Sequence, residues 1–190
     1  MGNSYVNFTV RGPSQQAVAG ALAGRTAIVS PARNGNVIVY DEQSEQMSDG
    51  VEELGAHLSR GLSCPVLAVS IYDDDILQFM LFDRGEKTDE YNSKPAYFDE
   101  DADPDNPVGP SGGNAARLCR AFGVQDAVEV ERILRTGSAL SGGYAFEIFR
   151  HEALCKALGL PQFAVAAGYS YITRGEVPHG LTETDLIRIT

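Results

Sequence analysis

The chain has 190 residues, 43% of them hydrophobic, and a formal net charge of −11. That size suits one large or two small globular domains with a sizeable core. The charge argues against binding a phosphate backbone or an anionic lipid surface, because both attract basic proteins, and no run approaches the roughly 18–20 apolar residues of a membrane span.

The opening MGNSYVNF has no basic stretch followed by an apolar one, so no signal peptide is expected. Val6 stands where a myristoylation signal needs Ser or Thr. Tyr5 to Val10 alternates Val6, Phe8 and Val10 against Asn7 and Thr9, which predicts a half-buried strand. A helix follows Pro13, with Ser14 as N-cap and Gly24 as its stop. Arg25 to Ser30 and Val37 to Tyr40 read as strands joined through Pro31 and the turn pair Asn34-Gly35. DEQSEQMS reads as a polar loop. Asp49, with Glu52 three positions on, is expected to cap a second helix whose stripe is Val51, Leu54, Leu58 and Leu62, with Gly61 at its end.

From Pro65 to Phe98 two apolar runs flank Asp73, Asp74 and Asp75. A loop of those three residues pairs Ile71 with Leu77, Val69 with Phe79 and Leu67 with Leu81, placing six large side chains on one face. A two-residue loop sets Gln78 and Met80 against Val69 and Leu67, and splits the set. The longer loop needs one aspartate near left-handed geometry. Asp83-Arg84-Gly85-Glu86 supplies a second turn, and Lys87 to Tyr91 is short and charged, as an exposed edge strand should be.

The order strand, helix, strand, strand, helix, strand is that of a ferredoxin-like βαββαβ unit. The expected fold class is therefore α/β (α+β): an antiparallel ferredoxin-like sheet over residues 1–98, extended by the hairpin. Residues 99–113, DEDADPDNPVGPSGG, are too rich in acids, Pro and Gly to build a core and read as a linker. Residues 114–190 read as a mainly helical part packed on the sheet. Asn114 and Asp126 are expected caps. Tyr144 to Leu158 carries Phe146, Phe149, Ala153 and Ala157 on one side and Tyr144, Ile148, Cys155 and Leu158 on the other, so it reads as a sandwiched helix. A short helix is expected over Pro161 to Ala167. Tyr169 to Thr173 fits strand or helix, and Thr182 with Asp185 caps a last turn ending near Ile187.

Chemistry-bearing motifs are sparse. Asp99, Asp101, Asp103 and Asp105 have calcium-loop spacing, but Pro104 and Pro110 fall where such a loop needs Gly and Glu. His151 and Cys155 sit at i and i+4 without a third metal ligand, and His57 and His179 are isolated. No nucleophile elbow, P-loop or dinucleotide fingerprint occurs. Cys64, Cys119 and Cys155 read as buried thiols in a reducing cytoplasm. No catalytic residue, metal or cofactor is therefore assigned. The candidate binding residues are Asp73, Asp74 and Asp75 at the hairpin tip, Tyr91, Asn92 and Tyr97 in the aromatic tail, and His151.

YDEQSEQ, the CPVLAVSIYDDDILQFMLFDRG hairpin and the DEYNSKPAYF tail together resemble a set of uncharacterised bacterial proteins. That set pairs a DDD hairpin with a Y-[ND]-S-x-P-x-Y-F tail. The resemblance implies a bacterial, intracellular protein and carries no activity. The functional expectation is a non-catalytic acidic binding protein, of the immunity or regulatory kind, for a basic protein partner. The alternative is a small-molecule binder or enzyme with a site between sheet and helical part, using Tyr91, Tyr97 and His151. Self-association through the edge strand is a third expectation.

Overall fold

The computed structural model describes residues 2–46, 48–103, 108–137 and 142–190. In chain order the strands are β1 (Tyr5–Arg11), β2 (Ala27–Val29), β3 (Asn36–Asp41), β4 (Val66–Tyr72), β5 (Ile76–Asp83), β6 (Glu86–Asn92), β7 (Ser111–Gly112) and β8 (Ile187–Ile189). The helices are α1 (Gln15–Ala21), α2 (Glu42–Gln46), α3 (Ser48–Leu62), α4 (Ala115–Phe122), α5 (Ala127–Arg135), α6 (Glu147–Ala157) and α7 (Tyr169–Thr173). The strands form one sheet, ordered β7-β6-β5-β4-β1-β3-β2-β8, in which every neighbouring pair is antiparallel. Among the described residues no helix is long and apolar enough to cross a membrane.

Side-chain parity splits the core between the two faces of this sheet. On one, Phe8, Val10, Val29, Val39, Val66, Ala68 and Phe82 pack against Val18 of α1, Leu22 just after it, and Val51, Leu54 and Leu58 of α3. On the other, Leu67, Val69, Ile71, Leu77, Phe79 and Leu81 meet Leu118, Phe122, Ile133, Leu134, Leu154 and Ile172 of α4 to α7. The hairpin register is the expected one, with Ile71 opposite Leu77, Val69 opposite Phe79 and Leu67 opposite Leu81. Two aspartates rather than one take left-handed geometry, Asp73 at φ 50° and Asp74 at φ 58°. Arg84 and Gly85 do the same in the next turn, the conformation that matches strand twist in a two-residue hairpin.

Several expectations are corrected. Asn7 and Thr9 are not on an open face; both are buried, because helices cover both sides of β1, and the Asn7 amide donates to the Ala164 and Ala167 carbonyls. The polar run after β3 is helical: Asp41 Oδ2 accepts from Ser44 N at 2.9 Å and so caps α2, which has no apolar stripe to betray it. The helix α3 begins at Ser48, and the Asp49 side chain, with its expected cap to Glu52, lies outside the described residues. Gly61 is inside α3, and Ser63 at φ 52° follows its end. β6 is an exposed edge over residues 86–90, as expected, and β7 pairs only with Tyr91 and Asn92 at its end. The capping box at Thr182 and Asp185 forms, but a strand follows it, β8 on β2. Of the two forms open to Tyr169–Thr173, strand or helix, the structure has the helix.

The expected sandwiched helix starts later, at Glu147, and one side is open: Phe146 and Phe149 are about half exposed. Its inner side carries Glu147, Arg150 and His151, all buried. Pro104 and Asp105 of the calcium-like spacing, and Ser138 and Ser141 beside the expected loop glycines, lie outside the described residues.

Candidate functional site: an acid-rimmed groove on the sheet

Helix α3 approaches the sheet closely where Gly55 faces Phe82; a Cβ there would lie 2.4 Å from the ring. That contact covers the part of the sheet around Phe82 and its partner Val66. Toward the hairpin tip the same face is left bare, because its side chains are small or polar. Val6, Ser70, Gln78 and Asn92 form one cross-strand row through β1, β4, β5 and β6. The result is a cavity of about 780 Å³, within the size range of ligand pockets. Its floor includes Val6, Ala68, Ser70, Gln78 and Met80, its sides include Glu42 and Glu45 of α2 with Tyr169, Ser170 and Thr173 of α7, and Tyr72 and Phe98 stand at the hairpin end.

Among the described residues the lining contains two carboxylates and neither Lys nor Arg. Glu45 Oε2 accepts from Ser170 N at 3.0 Å, which ties α2 to the start of α7, while Oε1 is buried without a hydrogen-bond partner. Burial raises the Glu45 pKa, and the bonds at Ser170 oppose that shift. Gly168 has extended backbone, so its role is space: a side chain there would collide with Glu45 Oε1 and Tyr5. At the hairpin end Tyr72 is 53% and Phe98 67% exposed, an unusual position for rings this large. They stand 5.5 Å apart by ring centroid, and Tyr97 lies 4.9 Å from Phe98. Asp99, Glu100 and Asp101 follow Phe98 and are exposed.

The candidate residues chosen from sequence divide among four environments. Asp75 and Tyr97 meet, the Tyr97 hydroxyl donating to Asp75 Oδ2 at 3.1 Å with Lys94 beside them. Asp73 Oδ1 accepts from Gly2 N, and Asp74 Oδ2 from the Asn3 amide, so these two acids pin the N-terminal residues to the tip. Asn92 Oδ1 accepts from Lys94 N, closing the turn after β6. Tyr91 and His151 point into the opposite core. Tyr91 stacks on Phe79 at 5.1 Å and donates to the Leu134 carbonyl. Tyr91, Tyr97 and His151 therefore do not converge. Among the described residues no group of three or more His, Cys, Asp and Glu is placed to hold a metal ion. The cysteines are buried and unpaired, and burial pushes Cys64 to about 11 and Cys155 to about 12, which keeps both as thiols at neutral pH.

Sequence reasoning missed Ser70, Glu42 and Glu45. The signal for the floor was present, because Ser70, Tyr72, Gln78 and Met80 share the hairpin face that the six core residues avoid. The α2 acids gave no such signal, since their helix has no apolar period. No protein-family model, curated protein or solved structure matches the chain.

His151 carries a testable pH effect. Its Nδ1 lies 2.7 Å from the Tyr5 hydroxyl. Burial raises the Tyr5 pKa, so a protonated phenol pairs with a neutral imidazole. Burial also lowers His151 from 6.5 to about 4. The unfolded chain thus binds one more proton between those values, and stability falls as pH drops from about 6.5 toward about 4. The shift corresponds to about 3 kcal/mol. Urea unfolding across that window is expected to show this slope in the native protein and a flatter profile in His151→Gln; equal slopes would refute it.

Proposed function

We propose that this chain is a non-catalytic acidic binding protein, of the immunity or regulatory kind, which holds a basic segment of a protein partner in the groove. The observation that carries the reading is the groove's make-up: an open sheet face with two carboxylates, no cationic lining residue and exposed aromatic rings at its end. Aromatic side chains supply contact area at low entropic cost and accept cations on their faces. Carboxylates around them steer a basic partner and select its register. The net charge of −11 acts in the same sense at longer range.

The central strand order β4-β1-β3-β2, with α1 and α3 on one face, supports reading the first half as a ferredoxin-like unit onto which the β5–β6 extension adds the groove floor. A cytoplasmic setting agrees with three buried, unpaired cysteines.

The test is a titration with fluorescent nona-arginine and with a neutral Gly/Ser peptide of equal length, at 50 and 500 mM NaCl. Only the basic peptide is expected to bind, with at least a tenfold loss at high salt. Tyr72→Ala combined with Phe98→Ala is expected to weaken binding roughly tenfold. Val128→Ala, at an exposed position on α5, should leave it unchanged. Equal binding of both peptides, or none, would overturn the reading.

A further inference from the structure

We infer that the segment held in the groove is a basic amphipathic α-helix. This rests on the reading above and specifies the form of the partner. The floor strands decide the first step. β1 is hydrogen-bonded to β3 and β4, β4 to β1 and β5, and β5 to β4 and β6. Their backbone groups are already paired, so an extended peptide finds no edge to join over the floor. The outer strands of the sheet are β7 and β8, at the two ends of the strand order. Strand addition belongs there, or on the unpaired stretch of β6 at residues 86–90, and not over the floor. A ligand lying on this pleated face gains no backbone bonds from the strands beneath it, and a helix brings its own.

Side-chain chemistry decides the second step. The part-exposed apolar groups Val6, Met80, Tyr72 and Phe98 offer a surface for one apolar stripe. Carboxylates lie on one flank of that surface, Glu42 and Glu45 on α2, whereas at the hairpin tip Asp73 is bonded to Gly2 and Asp75 to Tyr97 and Lys94. An apolar band beside an acidic margin is the complement of a helix with hydrophobic residues at i, i+3, i+4 and i+7 and Lys or Arg along one side of them. A small organic cation fills only part of this surface.

Three 18-residue peptides of identical Leu, Ala and Lys content test the inference. One places Leu at helical spacing, one alternates Leu with Lys as a strand would, and one disperses Leu evenly. Binding is followed by fluorescence anisotropy and peptide helicity by circular dichroism. The helically patterned peptide is expected to bind at least tenfold more tightly than the other two, and to gain helix on binding. Ser70→Trp, which fills the floor, and Glu42→Arg, which reverses a charge on the margin, should each reduce its binding at least tenfold while the thermal midpoint stays put.

Equal, salt-sensitive binding of all three peptides would overturn the helix while leaving the basic-partner reading intact. So would tighter binding of the alternating peptide, or displacement of the helical one by millimolar 1,6-diaminohexane. Failure of these peptides and of nona-arginine alike would remove both.

Discussion

Replacing Arg150 by Met is expected to destabilise the protein by about 4 kcal/mol, the cost of breaking a buried ion pair from one side. Arg150 is completely buried. Its Nε donates to Glu147 Oε2 at 2.6 Å and its Nη1 to the Ile133 and Thr136 carbonyls at 2.7 Å, while its plane lies over Tyr144 at 4.6 Å. One guanidinium thus caps the C-terminal end of α5 and neutralises a carboxylate on α6. Glu147 N in turn donates to the Asp74 carbonyl, so the same node braces the hairpin tip at the end of the groove. Met leaves the Glu147 charge and the carbonyls buried without a partner. In urea unfolding the midpoint should fall with little change in slope, and the thermal midpoint should drop by roughly 12 °C. Adding Glu147→Leu should recover much of the loss, because removing both charges spares the desolvation cost. If the single variant is as stable as the native protein, the node is not the brace described.

Phe79→Ala is expected to cost a similar amount, about 3–5 kcal/mol, by opening a cavity between sheet and helices. Phe79 is 2% exposed and stacks almost parallel on Tyr91, whose hydroxyl holds α5 through the Leu134 carbonyl. Deleting the ring removes its own burial and the neighbour's support. Phe79→Leu should cost less than half as much. A loss below 1 kcal/mol for the alanine would show that this ring does not join the layers.

The hairpin around Asp73–Asp75 was legible because parity is a strict constraint: one residue of slippage sends six large side chains to the wrong face. The caps at Ser14, Asn114 and Asp126 were legible for a local reason, a side-chain oxygen within reach of a free amide. The two-residue strand β7 carries no periodicity, and α2 has polar residues all round, so neither announces itself. The burial of Asn7 depends on carbonyls more than 150 residues away in the chain, and so does not follow from its own neighbourhood. The core-facing charges of α6 misled in the opposite direction. Phe146 and Phe149 look like its buried side, yet Arg150 and Glu147 occupy that place because together they satisfy one another and the end of α5.

The tip acids and Tyr97 were identifiable from turn chemistry and aromatic density, but they lie outside the lining of the groove. The groove was not identifiable, because it is a gap left where helices fail to cover a face, and gaps are set by layer geometry. Tyr91 and His151 drew notice as chemically capable side chains, and the fold uses both to hold the opposite core together.

The most direct measurement is amide chemical-shift mapping by NMR with the helically patterned basic peptide as titrant. Val6, Ser70, Gln78 and Glu45 are expected to shift together and saturate at one concentration, with Val128 and His57 unmoved. Shifts confined to β7 or β8, or scattered over surface acids without saturation, would contradict a binding groove on this face of the sheet.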